Sequence, residues 1–360
     1  MSYILSVGTA LPEFVVSQTD AAEFALQHFS GKLAKHSQLM SIFPNTRIDK
    51  RHLVRPLDWF ANHAHSWKER NDIYIESAEE LSVCAARRAL DKAGLSPDQV
   101  DFVVFVSTTG LSTPSIDSKL ITRLGMRSTT KRLPMWGLGC AGGVAGLARV
   151  AEFTRAFPDK IALLVSVETC SITFQFGDFS KKNFVATSLF ADGAAAAAVG
   201  GESSPRAVSR TLKFIGSHSN LFPNSAHVMG WDVTDTGLSV IFAPEIPARI
   251  ARDMRPIIVD FLHEHGLTPN DLAHYVMHPG GARVIEAYQE AFGLQNGELK
   301  YAVDVLRECG NMSSPTVLFV LERVLASGMI RPTEYALMGA LGPGFSSEMA
   351  LLQGMAKSHA

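Results

Sequence analysis

Cysteine is scarce in this chain. Four are spread over 360 residues, at Cys84, Cys140, Cys170 and Cys309, and no two stand in a CxxC spacing. A chain of this length buries enough surface to fold without disulfides, so reduced thiols and a cytoplasmic setting are expected. There is no Cys/His cluster and no HExxH motif, so no metal site is expected. An excess of charge of one sign is also missing: 33 Lys and Arg oppose 35 Asp and Glu, for a formal net charge of −2. That balance argues against nucleic acid or an anionic membrane as a bulk electrostatic partner. No stretch reads as an integral membrane segment; Leu133 to Ala148 is uncharged but carries five glycines and a proline. The opening MSYILSVGTALPEF has no basic leader before its short apolar run, so no targeting segment is expected.

What is present is ordinary globular material, 46% apolar and 19% charged. Short apolar runs such as Phe102–Ser107 and Ile161–Val167 read as buried strands, and longer amphipathic segments separate them. Ser77 with Glu80 reads as a capping box opening a helix that presents Leu81, Ala85 and Ala89 on one face and stops at Gly94. The alanine run Ala194–Ala198 reads as a close-packed strand or the start of a helix. This alternation predicts an α/β fold.

One pattern recurs. Residues 90–106 read LDKAGLSPDQVDFVVFV and residues 262–277 read LHEHGLTPNDLAHYVM. Each runs from a helix end through Gly-Leu-[Ser/Thr]-Pro into a strand and then a glycine-bearing loop. Gly94 and Gly266 are 172 residues apart, close to half the chain. Either such connections recur by chance or the chain is a duplicated α/β unit. Duplication would put a boundary in Gly200–Arg210, giving halves 1–205 and 206–360.

Three residues carry chemistry. Cys140, in GLGCAGGVAG, lies on a glycine-flanked turn before a helical pattern. A helix N-terminus there would favour the thiolate, the nucleophilic form; a small buried cysteine in a packed turn fits the same residues. His278 ends a strand before Pro-Gly-Gly, on the side of a sheet where α/β sites form. Asn311, in CGNMSSPTVL, suits either a turn or cap before the helix 316–325 or an amide donor to an oxyanion. Together they would supply a nucleophile, its proton partner and a hydrogen-bond donor.

The segments GLGCAGG, SLFADGAAA, MHPGGARVIEA, CGNMSSPTVLFVLE and ALGPGFSSE occur in the order of the chalcone synthase superfamily, the type III polyketide synthases. The chain resembles that family over nearly its whole length. GLSTPSID, TKRLPMWGLGCAGG and MGWDVTDTGL look most like the alkylpyrone-forming synthases of bacilli. The resemblance implies a thiolase fold of duplicated αβαβα layers, a homodimer, and acyl-CoA and malonyl-CoA as substrates with no further cofactor. It implies Cys140 as the acyl-carrying nucleophile with His278 and Asn311 as partners. Phe190 would be the aromatic residue beside the nucleophile, and Gly342, Pro343 and Gly344 a loop shaping the cavity wall. Thr113 stands where plant enzymes place a methionine that crosses the dimer interface. Val240 replaces a gatekeeping phenylalanine, Trp231 a glycine, and Cys170 a threonine, while Thr173 and Ser313 keep cavity hydroxyls. A small gate at Val240 suits a flexible aliphatic starter. Lys50, Arg51, Arg55 and Arg283 are candidates to meet CoA phosphates, with a solvated basic face as the default reading.

The implied reaction is decarboxylative condensation of malonyl-CoA onto a long-chain acyl thioester. Lactonisation would then give alkyl-α-pyrones and aldol closure alkylresorcinols. A β-ketoacyl-carrier-protein synthase III is the nearest alternative, but its histidine motif reads His-Gln-Ala-Asn and this one His-Pro-Gly-Gly. A degradative thiolase would need a C-terminal CxG, which is absent. A non-catalytic acyl-CoA-binding protein would not need the three polar residues together.

Overall fold

The computed structural model describes residues 1–33, 41–62, 65–175, 177–178, 180–205 and 211–356. The strands are β1 (Ser2–Ala10), β2 (Phe14–Ser17), β3 (Lys50–Leu53), β4 (Phe102–Val106), β5 (Lys131–Met135), β6 (Ile161–Thr169), β7 (Asp192–Gly201), β8 (Leu212–Leu221), β9 (Met229–Thr234), β10 (Gly237–Phe242), β11 (Leu272–Met277), β12 (Tyr335–Gly342) and β13 (Ser346–Gly354). Nine of them form one sheet in the order β11-β12-β13-β8-β1-β7-β6-β4-β5. Its two halves join through three residue pairs between β1 and β8, from Ser2–Phe214 to Ile4–Leu212. β4 runs parallel to β5 and β6, and β11 parallel to β12. β9 and β10 pair with each other, as do β2 and β3.

The layering follows from burial on both faces. β6 is buried at every position, which is why its sequence is a continuous apolar run instead of an alternating one. Helix Trp67–Ala93 lies on the outer face of β1, β6 and β7, and helix Ile116–Leu124 on β4. Helices Gly142–Ala156 and Thr316–Ser327 lie between the halves and touch strands of both. Helix Ile246–His263 packs on β8 through Phe261 against His218, and helix Ala282–Phe292 on β11 through Phe292 stacked on Tyr275. The layers therefore run helix, sheet, helix, sheet, helix, the thiolase-like fold expected.

Small residues make the central helix fit. A Cβ on Gly143 would stand 2.3 Å from the carbonyl oxygen of Ser314, and one on Gly146 2.5 Å from Leu164. The glycines after Cys140 thus serve mainly to bring the helix close to its neighbours. The alanine run forms β7, fully buried between helix layers.

The repeat has a structural counterpart. Gly94 and Gly266 both adopt a left-handed conformation, at φ +64° and +69°. Each leads into a single 3₁₀ turn, Pro97–Gln99 and Pro269–Asp271, closed by a capping box at Ser96 and Thr268. The strands β4 and β11 follow. The boundary expected within 200–210 falls partly on 206–210, which lie outside the described residues.

One helix start needs correction. The helix ending at Gly94 begins at Trp67, not at Ser77. Its cap is Ser66, whose hydroxyl accepts from the Glu69 amide at 3.2 Å while the Glu69 carboxylate accepts from the Ser66 amide at 2.8 Å. Ser77 is buried inside the helix.

Candidate active site

Cys140 sits on the 3₁₀ turn Gly139–Ala141 that opens the central helix. Gly139 has φ +46°, and a Cβ there would meet the Pro343 ring at 2.7 Å. A Cβ on Gly342 would meet the Leu138 carbonyl oxygen at 2.3 Å. Gly342 and Pro343 therefore clamp the Cys140 turn from the side, and the residue just before them, Leu341, reaches the cavity wall. Gly344 follows at φ +134°.

His278 caps the end of β11, its amide donating to the Gly339 carbonyl at 2.9 Å. Asn311 pairs with Phe190 in a short bridge, exchanging backbone bonds with Leu189 and Ala191 at 2.9 Å each. Its side-chain amide donates to the Gly280 carbonyl at 3.1 Å, and its oxygen accepts from the Ser313 amide at 2.8 Å. The turn role and the site position thus coincide in one residue. Ser313 adopts φ +59° and brings its hydroxyl to 3.4 Å from the Cys140 sulfur.

Cys140, His278 and Asn311, from three distant segments, line one cavity of about 10 Å³, with Tyr288 as its fourth polar side chain. That is room for roughly one water molecule. Met229, Phe242, Ile246, Val284 and Leu341 make the remaining walls apolar. Neither ring nitrogen of His278 has a hydrogen-bond partner among the described residues.

Burial sets the protonation states. It pushes the Cys140 thiol up to about 12, against the opposing pull of the Ser313 hydroxyl. It pulls the His278 imidazole down to about 3. Burial thus opposes ionisation of both groups, against the thiolate that the helix N-terminus favours.

The remaining expected residues divide into groups. Cys170, Phe174, Ala186, Phe190 and Val240 form one buried apolar cluster with Trp231 packed against it. Trp231 and Val240 are directly paired between β9 and β10, and the Trp231 ring lies 6.5 Å from Phe190. The Thr173 hydroxyl donates to the Cys170 carbonyl at 2.7 Å. Beyond Phe174 lies a second cavity of about 300 Å³, bounded by Trp59, Phe60, Ile172 and Arg70. Thr113 is exposed on the loop before helix Ile116–Leu124 and takes no part in this chamber.

The four basic candidates do not form a cluster. Lys50 and Arg283 are exposed, and Arg55 pairs with Glu76 at 3.0 Å. Arg51 must be corrected: it is 2% exposed and donates to the Thr187 and Phe190 carbonyls at 2.6 and 2.8 Å. It faces the buried Asp192 and holds the backbone of Phe190, so it is not presented to a phosphate.

Two polar residues escaped the sequence reading. Glu168 is fully buried and accepts from the Thr108 amide at 2.9 Å, the Thr109 hydroxyl at 2.8 Å and the Ser314 hydroxyl at 2.7 Å. Burial raises its carboxyl to about 7. The signal was a lone acid at the end of the apolar run of β6. Tyr288 gave no signal, because Val284, Tyr288 and Phe292 repeat at the helical spacing of a core face.

Comparison with known proteins agrees with this architecture. Residues 1–203 match the model for the N-terminal domain of chalcone and stilbene synthases, and residues 213–356 the model for the C-terminal domain. A putative chalcone synthase of Bacillus subtilis (strain 168) is 43% identical over 98% of both chains. A 1,3,6,8-tetrahydroxynaphthalene synthase of Streptomyces peucetius subsp. caesius is 35% identical over 97% of this chain and 92% of its own. The crystal structure of the Streptomyces coelicolor A3(2) 1,3,6,8-tetrahydroxynaphthalene synthase, a bacterial type III polyketide synthase, superimposes with a TM-score of 0.92. It is 28% identical, over 98% of this chain and 99% of its own. The chain belongs to the chalcone and stilbene synthase family, the type III polyketide synthases.

Proposed function

We propose that Cys140 carries an acyl group taken from an acyl-CoA starter and that malonyl-CoA is condensed onto it with loss of CO₂. The observation that supports this reading most is the convergence of Cys140, His278 and Asn311 on one enclosed, otherwise apolar chamber. His278 accepts the thiol proton as the starter carbonyl arrives, the sulfur attacks, the acyl bond to the CoA sulfur breaks, and CoA leaves as a thiol with the proton that His278 returns. Malonyl-CoA then loses CO₂, and the enolate charge gathers on its thioester oxygen. His278 and the Asn311 N–H not held by Gly280 donate to that oxygen; one such donor contributes about 3 kcal/mol. The enolate attacks the acyl thioester and the Cys140–carbonyl bond breaks. Phe190, beside the bridge to Asn311, keeps water from protonating the enolate first. Decarboxylation itself supplies the carbanion, so the chemistry calls for no cofactor beyond the CoA thioesters.

The starter is a long aliphatic acyl chain, and the products are alkyl-α-pyrones or alkylresorcinols. Two features favour this choice: Val240 leaves a small side chain in the apolar cluster, and the cavity of about 300 Å³ shares Phe174 with that cluster. A second reading, condensation of malonyl-CoA alone, is favoured by relatives named as 1,3,6,8-tetrahydroxynaphthalene synthases. Mass spectrometry of products from malonyl-CoA, alone and with acyl-CoAs from acetyl to stearoyl, separates them. Long-chain pyrones support the first reading. A naphthalene product from malonyl-CoA alone, with no acyl incorporation, overturns it.

We also infer a cytoplasmic homodimer. β5 ends the sheet with its outer edge uncovered, and Leu111 (50%), Leu133 (37%) and Trp136 (52%) are exposed around it. Thr113, two residues along the chain from Leu111, is exposed as well. Among the described residues no helix is long and apolar enough to cross a membrane. A monomer by light scattering at micromolar concentration would defeat the dimer.

A further inference from the structure

The chamber at Cys140 carries one polar side chain for which the reading above has no use. Tyr288 lies on helix Ala282–Phe292, one turn after Val284, and the two line the chamber from the same face. Its ring stacks on Phe292, with centroids 5.7 Å apart and planes at 21°. The residue is 1% exposed, and its hydroxyl has no hydrogen-bond partner among the described residues. Burying a phenol unpaired is costly, and phenylalanine would fill the same space without that cost. An orphaned hydroxyl held rigidly in a chamber is therefore a group awaiting a ligand atom.

One neighbour is in the same condition. Both His278 nitrogens are unpartnered. The Asn311 amide has one N–H committed to Gly280 and turns the other toward the Cys140 sulfur, where an incoming oxygen can take it over. Two unpartnered groups, Tyr288 and His278, together with the Asn311 amide thus face a space that holds about one oxygen-sized atom, and among the described residues no charged side chain lines it.

We propose that the Tyr288 hydroxyl is a further catalytic donor, hydrogen-bonding the thioester oxygen of the malonyl unit and completing with His278 and Asn311 a three-donor cradle for the enolate. The inference rests on the condensing reaction proposed above. As the C–C bond to the carboxylate breaks, its electron pair passes through the carbon to this oxygen and CO₂ leaves. Tyr288 keeps its proton throughout and only strengthens its hydrogen bond. Burial, together with the nearby Cys140, holds its ionisation far above the ordinary range, so it remains a neutral donor at any working pH.

The test is Tyr288→Phe, which removes the oxygen and little else. The acyl-enzyme should still form on Cys140, seen by intact-protein mass spectrometry. CO₂ release from malonyl-CoA and condensation should fall about 100-fold in kcat, the usual loss for one oxyanion donor, with KM for malonyl-CoA changed only a few-fold. The melting temperature should hold or rise, because an unpaired buried hydroxyl has been removed. Condensation within about threefold of wild type overturns the proposal, as does a rate loss that merely follows a lowered melting temperature. Failure of the wild-type enzyme to form an acyl thioester on Cys140 would instead overturn the condensing reaction, whatever Tyr288 does.

Discussion

The Ser313 hydroxyl stands 3.4 Å from the Cys140 sulfur because Ser313 adopts a left-handed backbone at φ +59°, with the Asn311 side chain bonded to its amide. Such a conformation costs a non-glycine residue on the order of 1 kcal/mol and needs support from its surroundings. Here the strain delivers a hydroxyl to the Cys140 sulfur, which the Asn311 side chain also meets.

Ser313→Ala should therefore leave the fold intact and make the thiol harder to ionise. A hydrogen bond to a charged group contributes roughly 1.5–3 kcal/mol, so the thiolate population at a given pH should fall about tenfold or more. The pH dependence of iodoacetamide labelling at Cys140 measures this, and the midpoint should move upward. An unchanged midpoint would remove Ser313 from any role in thiol activation.

Cys140→Ala should abolish condensation while some malonyl-CoA decarboxylation persists, because His278 and the Asn311 amide remain to receive the enolate. CO₂ release and product formation, measured side by side, test the separation. Full product synthesis by this variant would exclude an acyl-enzyme on Cys140.

The buried carboxyls give a pH dependence with a definite sign. Burial raises Glu168 from its ordinary 4.5 to about 7. A group whose folded-state value is raised contributes stability that is fully present below its unfolded value and is lost as pH rises through the folded value. For Glu168 the window runs from about 4.5 to 7, and the loss is on the order of 3 kcal/mol. His278, lowered from 6.5 to about 3, acts in the opposite sense: its stabilisation is present above 6.5 and is lost as pH falls toward 3. Glu168→Gln should flatten the decline in melting temperature between about pH 4.5 and 7 and leave the acid limb in place. A wild-type melting curve equally steep in the variant would contradict the burial of an ionisable Glu168.

How far the sequence carried depends on whether a property is local. Gly94 and Gly266 announced their turns because a left-handed stop before Leu-[Ser/Thr]-Pro is a short-range requirement. The alanine run told of a tightly covered strand because only small side chains allow helices that close on both faces. Ser77-x-x-Glu80 misled because the capping pattern can occur inside a helix; Ser66-x-x-Glu69 has the same spacing and a free amide end. Protonation was illegible at Cys140, since a helix N-terminus can be seen in sequence and the depth of burial cannot. Arg51 failed for the same reason: a charge in the sequence says nothing about whether its guanidinium turns inward.

That inward turn yields a prediction of its own. Arg51 supports the Thr187 and Phe190 carbonyls and faces Asp192, which accepts from the Val54 amide and from Ser171. Removing the cation leaves a buried carboxylate, raised to about 6, without its compensating charge. Arg51→Met should cost about 3 kcal/mol of folding stability, read by urea denaturation. A variant that folds as well as wild type but has a raised KM for malonyl-CoA would restore Arg51 to the surface role expected from sequence.

Val240→Phe tests the starter directly. Val240 is 7% exposed, paired across the hairpin with Trp231 and packed in the cluster that holds Phe190, Cys170 and Phe174. A phenyl ring there adds several carbon atoms to a space already closed by aromatic side chains, and a packed interior absorbs such volume poorly. The cost falls on whatever ligand shares the space. A long acyl chain would lose the path toward Phe174 and the larger cavity, whereas a short starter would be little affected. With a ladder of acyl-CoAs the variant should shift its kcat/KM optimum toward shorter chains, by tenfold or more for the longest, since each displaced methylene forfeits about 0.8 kcal/mol of burial. A chain-length profile identical to wild type would mean that the acyl chain takes another route, and Val240 would then be a packing residue of the hairpin and nothing more.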